Sequence, residues 1–289
     1  MNDAAPLRRI WLCADDYGLS PGVNRAIRDL IERGRLNATS VMVVGPAIGR
    51  DEVSALQAAA ANSPRCSIGL HATLTAPFRP LTMHFQPLDG GMFLGFPKLL
   101  RAGLLRSLDP EIIRAELMVQ LAAFNELFGR APDFVDGHQH AQLFPVVRDA
   151  FLTAVKEAAP KAWVRQAGRE APLLRRLGPP KALFLDILSA QFRHRASRAN
   201  IAFNPGFAGA YDFSQQPDFG VLMRQFLDGL PENGLIMCHP GFVDETLVSL
   251  DPLTVQREHE HAFLGGEHFP RLLARFSASS WSRTVCTSA

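Results

Sequence analysis

The sequence predicts an α/β protein in which strand–helix units build a parallel sheet. Three observations carry that expectation. Short apolar runs without polar alternation recur along the chain, as strands covered on both faces require. Stretches with helical spacing of apolar residues separate them. No linker, repeat or low-complexity segment divides the 289 residues, a length that α/β barrels use for one domain, so 1–289 is expected to form a single domain.

Residues 8–15 read as the first buried strand, short and almost continuously apolar. Ser20 and Pro21 then open a helix, the hydroxyl as cap and the proline where no N–H is needed. Ala26, Ile27, Leu30 and Ile31 share one face of it, and Gly34 suits its end. Ala38 to Val44 is a strand stopped by Gly45-Pro46, 51–61 is an alanine-rich helix, and Ser67 to Leu74 is a strand. Asp109-Pro110-Glu111 opens the clearest helix, with Ile113, Leu117, Leu121, Phe124 and Phe128 in register and Gly129 and Pro132 closing it. Phe134 to His138 is a strand and 145–158 a helix. The rhythm then loosens. Ala162 to Arg165 is strand-like, 181–192 helical, 200–203 a short strand, 218–230 helical, Leu235 to His239 a strand and 254–264 helical. Thr284 to Cys286 is a candidate last strand.

Two stretches break the pattern. Residues 76–108 are rich in Pro and Gly and end in a short amphipathic piece over 98–106. A loop this long inside a compact domain is a candidate lid. Residues 203–213 mix glycine with Phe207, Tyr211 and other aromatics, which suits a loop that approaches a ligand closely and stacks on it.

Composition narrows the function classes. The net charge of +2 and the scattered 30 Lys and Arg favour no nucleic-acid partner. The arginine bias over 165–198, with Arg175-Arg176 and Arg193-His194-Arg195, reads as a solvated basic face. Cys13, Cys66, Cys238 and Cys286 are too dispersed for a disulfide framework and suit a reducing compartment. The first residues lack a basic-then-apolar signal, and no run of apolar residues is long enough to span a membrane. A cytoplasmic protein is expected. Signatures for dinucleotides, nucleotides and serine hydrolases are absent from the sequence.

Four of the apolar runs end in titratable side chains. They lead to Asp15-Asp16, to His71, to Asp136-Gly137-His138-Gln139-His140 and to His239-Pro240-Gly241. The carboxyl ends of parallel strands share one face, so these residues would meet although distant in sequence. Two imidazoles and one carboxylate are an established ligand set for a catalytic divalent ion. If extension continues past Asp136, His138 and His140 lie on its side of the strand, one as ligand and the other as an outer or substrate contact. Each motif alone has an ordinary reading as a cap, a turn or a hydrogen-bonded strand end. His194, His259, His261 and His268 are given no role.

At these residues the chain resembles the YdjC-like carbohydrate deacetylases. The matching pieces are Ala14-Asp15-Asp16-Tyr17-Gly18-Leu19-Ser20, Ile68-Gly69-Leu70-His71-Ala72-Thr73-Leu74-Thr75, Asp136-Gly137-His138-Gln139-His140 and Cys238-His239-Pro240-Gly241-Phe242-Val243-Asp244. They stand in family order over most of the chain. The resemblance implies an irregular (β/α) TIM-like barrel with its active site at the C-terminal ends of the strands. It implies a divalent metal ion, Mg2+ or Zn2+, held by Asp16, His71 and His138. Asp15 would be the general base and His239 the acid or transition-state contact. His140, Asp136, Phe207 and Tyr211 are the expected substrate contacts. The substrate would be an N-acetylated amino sugar or oligosaccharide, and a homodimer is compatible with the family. The family's third motif is often richer in histidine; Gly137, Gln139 and Gln142 stand at three of its positions here. The alternatives are a metal-dependent hydrolase of a phosphoester or cyclic amide, and a non-catalytic sugar-binding barrel.

Overall fold

The apolar runs become parallel strands. The computed structural model describes residues 8–63, 66–169, 180–215, 217–276 and 278–279. Its strands are β1 (Arg8–Arg9), β2 (Trp11–Tyr17), β3 (Ala38–Val41), β4 (Ser67–Ala72), β5 (Phe134–Gly137), β6 (Trp163–Val164), β7 (Phe207–Ala208), β8 (Leu235–Cys238) and β9 (Ala278–Ser279). Its helices are α1 (Pro21–Glu32), α2 (Arg50–Asn62), α3 (Phe96–Leu104), α4 (Pro110–Phe128), α5 (Val147–Ala158), α6 (Pro180–Arg198), α7 (Phe219–Leu227), α8 (Glu245–Leu250), α9 (Val255–Gly265) and α10 (His268–Arg275).

Among the described residues, seven strands form one sheet in the order β6-β5-β4-β3-β2-β8-β7, all parallel. The sheet curls, and helices surround it, as in an irregular TIM-like barrel. Its two edges approach each other through side-chain amides. Val164 on β6 donates its N–H to Ala202 O at 2.8 Å and forms a lone bridge with Phe203. The Asn204 amide then accepts from Gln166 N at 2.9 Å and donates to Gly206 O at 2.9 Å, carrying the seam towards β7. This explains why the strand expected at 200–203 is only a bridge: Asn204 substitutes for backbone pairing, and Pro205 has no N–H to extend it.

Helix starts and stops follow the sequence. Ser20 Oγ accepts from Val23 N at 3.2 Å ahead of Pro21, and Val23, Ala26, Ile27, Leu30 and Ile31 are buried. Asp109 caps α4 through Glu111 N, Gly129 ends it at φ 68°, and Ile113, Leu117, Leu121, Phe124 and Phe128 face the core. Inside the sheet Trp163 stacks on Phe134 at 4.6 Å and meets Trp11 at 5.6 Å. No helix among the described residues is long and apolar enough to cross a membrane. Cys13, Cys66 and Cys238 are free.

Several boundaries differ from expectation. The strand expected over 8–15 is split at Ile10 into β1 and β2, and β2 extends to Tyr17, past both aspartates, whereas the strand expected to reach Val44 stops at Val41. The loop 203–213 contains β7, and the loop 76–108 contains α3. Helix α6 runs on to Arg198, and α8 and α10 occur where no helix was expected. The candidate strand at Thr284–Cys286, Cys286 itself and Arg175-Arg176 lie outside the described residues.

Candidate metal centre and active site

The carboxyl ends of β2, β4, β5, β6 and β8 deliver Asp15 and Asp16, His71, Asp136 and His138, Arg165 and His239 to one end of the sheet. Strict alternation on β2 would send the two aspartates to opposite faces. A bulge removes that conflict. Ala14 pairs with Thr39 and Tyr17 with Val41, so two residues of β2 stand opposite the single Ser40 of β3. Asp16 takes up the extra length in the left-handed region at φ 71°, and both aspartates are buried.

Asp16 Oδ1 lies 3.3 Å from His71 Nε2 and 3.2 Å from His138 Nδ1. One donor atom from each residue fits within 4.8 Å of the others. His71 is oriented from behind. Asp136 stands directly opposite it in register, and its Oδ1 accepts from His71 Nδ1 at 2.6 Å, which leaves Nε2 facing Asp16. An outer carboxylate of this kind fixes the ring of a ligating histidine and raises its basicity. Burial opposes charging His71, but Asp136 and Asp15 outweigh it and hold the imidazole at about 10. Burial would raise Asp16, yet Arg257 and the two imidazoles keep it well below the usual carboxylate range. A buried carboxylate and two pre-oriented imidazoles are a donor set that fits a divalent ion such as zinc or a magnesium-like ion.

Two fully buried arginines frame this cluster. Arg165 donates to both oxygens of Asp15, each at 2.7 Å, and sits 2.9 Å from Asp136 Oδ2. Burial pushes Asp15 up, but Arg165 overrides it and lowers the group to about 2. Ser40 Oγ also donates to Asp15 Oδ1 at 3.2 Å and lies 3.1 Å from His71 Nδ1. Cys13, Asp15 and Asp136 form a second close group, but the Arg165 guanidinium already compensates its charge. Arg257 Nη2 donates to Asp16 Oδ2 at 2.6 Å and to Asp251 Oδ2 at 2.7 Å.

The third motif does not continue as a strand. Extension stops at Gly137, and residues 138–143 coil into a 3-10 turn with Gln139 and His140 left-handed at φ 54° and 58°. His140 therefore reaches the site by the turn and not by strand alternation. Its ring meets Phe207 edge-on at 5.4 Å, its Nδ1 is buried without a hydrogen-bond partner, and burial together with Arg165 lowers it to about 3. His239 lies edge-on to Phe213 at 5.5 Å, and its Nδ1 is likewise unpartnered. Burial lowers it to about 4 against the pull of Asp16 and Asp15. The backbone N–H of His239 donates to Glu260, which also accepts from the Tyr211 hydroxyl at 2.6 Å. Burial raises Glu260 to about 7.

The structure thus gathers Asp15, Asp16, His71, Asp136, His138, His140 and His239 at one place, with Phe207 against His140. Tyr211 stands one step back with its hydroxyl engaged, and Asp136 is enclosed behind His71. Arg165, Arg257, Ser40 and Glu260 went unrecognised in the sequence. For Arg165 a signal existed: it too ends an apolar run. The arginine-rich stretch it opens is not simply a solvated face, since Arg193 bonds Gln166 at 2.9 Å and Arg169 pairs with the buried Asp186 at 2.7 Å. For Arg257 and Glu260 no local signal existed, because both sit on a charged helix.

Residues 9–275 match the YdjC-like protein family. Chitooligosaccharide deacetylases of Yersinia pestis (strain Pestoides F) and Yersinia pseudotuberculosis serotype O:1b (strain IP 31758) are each 30% identical over 237 residues, covering 82% of this chain and 83% of the relative. A crystal structure from Enterococcus faecalis V583, assigned provisionally to cellobiose-phosphate cleavage, superposes with a TM-score of 0.71 at 17% identity, covering 94% of this chain and 95% of that one. A lactam utilization protein of Thermus thermophilus gives 0.51 at 14% identity, over 93% of this chain and 98% of that one. At those identities the two structures speak for the fold alone.

Proposed function

The chain belongs to the YdjC-like family, and on that premise we propose that it is a metal-dependent hydrolase removing the acetyl group from an N-acetylated amino sugar. One observation supports the reading above the rest. A carboxylate and two imidazoles converge on one point, and a second carboxylate, Asp15, is held beside them by Arg165. The relatives named chitooligosaccharide deacetylase suggest the substrate class.

Asp16, His71 and His138 would hold the ion. Bound there, a divalent ion supplies Lewis-acid polarisation of the acetamide carbonyl and acidifies water. The protein's own groups do the rest. Asp15 takes the proton of the attacking water. The Arg165 grip keeps it ionised and aimed, and while Oδ1 also accepts from Ser40, Oδ2 meets only the fork among the described residues and retains a lone pair for that proton. The same grip makes Asp15 a weak base, so the proton passes on to His239. Burial keeps that imidazole neutral beforehand, with a ring nitrogen free to take the proton, and as the imidazolium it hands the proton to the leaving amine. Asp136 holds the His71 ring. His140 and Phe207 form a sugar-facing wall with the Tyr211 loop, and segment 76–108 contributes Phe78, whose ring lies 5.8 Å from that of His138.

The phosphoester alternative calls for guanidinium groups open to a phosphate. Two arginines do stand at the site, but each is already matched by two carboxylates. A sugar-binding barrel without turnover has no use for a clamped Asp15. The test is product analysis on a panel of N-acetylated sugars, sugar phosphates and cyclic amides. Acetate and a free amino sugar are expected from the first class only; phosphate release, ring opening or no acetate from any acetylated sugar contradicts the proposal.

A further inference from the structure

On the His138 flank of the cluster the surface opens into a cleft of about 290 Å3, bordered by Leu19, Pro77, Phe78, Gln139, Ser249 and Asp251. Its walls come from distant parts of the chain, the segment after β4 and the end of α8. The first wall is pinned in place. Ala76 N donates to Leu94 O at 3.1 Å and Phe93 N to Phe78 O at 2.9 Å. The N–H groups of Leu81 and Thr82 donate to the buried Glu116 carboxylate at 3.0 and 2.9 Å. The cleft is therefore pre-formed, as small-molecule sites mostly are.

Its chemistry is two-sided. Pro77 and Pro252, both exposed, and the half-buried Leu250 offer an apolar surface. Gln139 and Ser249 are exposed, and Asp251 offers a carboxylate with lone pairs beyond those used by Arg257 and Leu253 N. A pyranose ring has the complementary pattern, a C–H face and a rim of hydroxyls. The volume of about 290 Å3 stands just below the usual range of roughly 300–1,000 Å3 for ligand pockets, which suits one ring and no longer chain. Asp251 also reaches Asp16 through Arg257, so this rim is one side chain away from a candidate metal ligand.

We propose that this cleft is the subsite for a single pyranose ring adjoining the scissile acetamide, an assignment that rests on the carbohydrate-deacetylase reading above. Ser249→Trp fills the cleft from an exposed helix position, and Val248→Trp places the same bulk on α8 outside it. Di-N-acetylchitobiose serves as probe, with binding followed by calorimetry, acetate release by coupled assay and bound metal by elemental analysis. Ser249→Trp is expected to weaken binding and raise KM at least about tenfold with metal content unchanged, while Val248→Trp leaves both near the wild-type value. Unchanged binding and KM in Ser249→Trp overturn the subsite and leave the deacetylase reading standing. Binding that the wild type shows and Ser249→Trp loses, with no acetate from either, upholds the subsite and overturns the deacetylase reading. A wild type that neither binds nor cleaves the probe overturns both.

Discussion

Asp15 and Asp16 are neighbours in sequence with different partners, and that difference divides their expected roles. Asp16 faces His71 and His138, whereas Asp15 is gripped by Arg165. Asp16→Asn is expected to lose bound metal and activity together. Asp15→Asn should keep the metal and slow turnover about 10² to 10⁴-fold, the contribution of a positioned base. Elemental analysis beside kcat separates the two, and metal loss in Asp15→Asn alone would reverse the assignment. Arg257 acts through Asp16. With one Asp16 oxygen held by Arg257, the other is left to the imidazoles, so Arg257→Gln should weaken metal binding about 10–100-fold, with Arg257→Lys partly restoring it. Equal affinity in all three proteins would show Arg257 to be packing only. His71 sets the pH dependence. Its pKa rises from 6.5 to about 10, so the charged form contributes stability to the ion-free protein that is complete below the lower value and lost as pH rises through the upper one. A ligating Nε2 must shed that proton, so metal affinity is expected to climb about tenfold per pH unit through neutrality. Competition titrations at several pH values check this, and a flat profile contradicts it.

At the scale of elements, the segment 76–108 is tied down at its start by α4. Glu116 is fully buried and accepts from Leu81 N, Thr82 N, the Thr82 hydroxyl and Gln120. Glu116→Ala leaves those donors without a partner, at a cost of about 1–3 kcal/mol. Urea denaturation measures it, and a change within about 0.5 kcal/mol, the scale of a surface substitution, would mean the anchor carries no weight. The helices α1 and α4 were legible because caps, apolar register and stops agree at each. The 3-10 turn after β5 was not. Gln139 and His140 adopt left-handed backbone without the glycine that would announce it. Strand β7 escaped because its two residues stand between Gly206 and Gly209, and Gly209 belongs there for closeness: at φ 112°, a Cβ would lie 2.2 Å from Met237 O. A two-residue strand carries no periodicity to read.

At the scale of the molecule, the parallel sheet was legible because most of its strands lie in short apolar runs separated by helical stretches, its closure into a barrel only through the family resemblance, and the place of the site because several such runs end in Asp or His. The frame around it was not. Arg165 and Arg257 are buried because Asp15, Asp136, Asp16 and Asp251 arrive from other parts of the chain to meet them; the apolar run before Arg165 marks its place, but nothing local to either arginine names its partners. The central claim is that this gathering of strand ends is a metal-dependent deacetylase centre. Acetate release from an N-acetylated oligosaccharide, measured before chelation, after it and after a divalent ion is restored, tests that claim most directly. Release that stops on chelation and returns with the ion is the predicted result; undiminished release from protein shown by elemental analysis to be free of metal would contradict it.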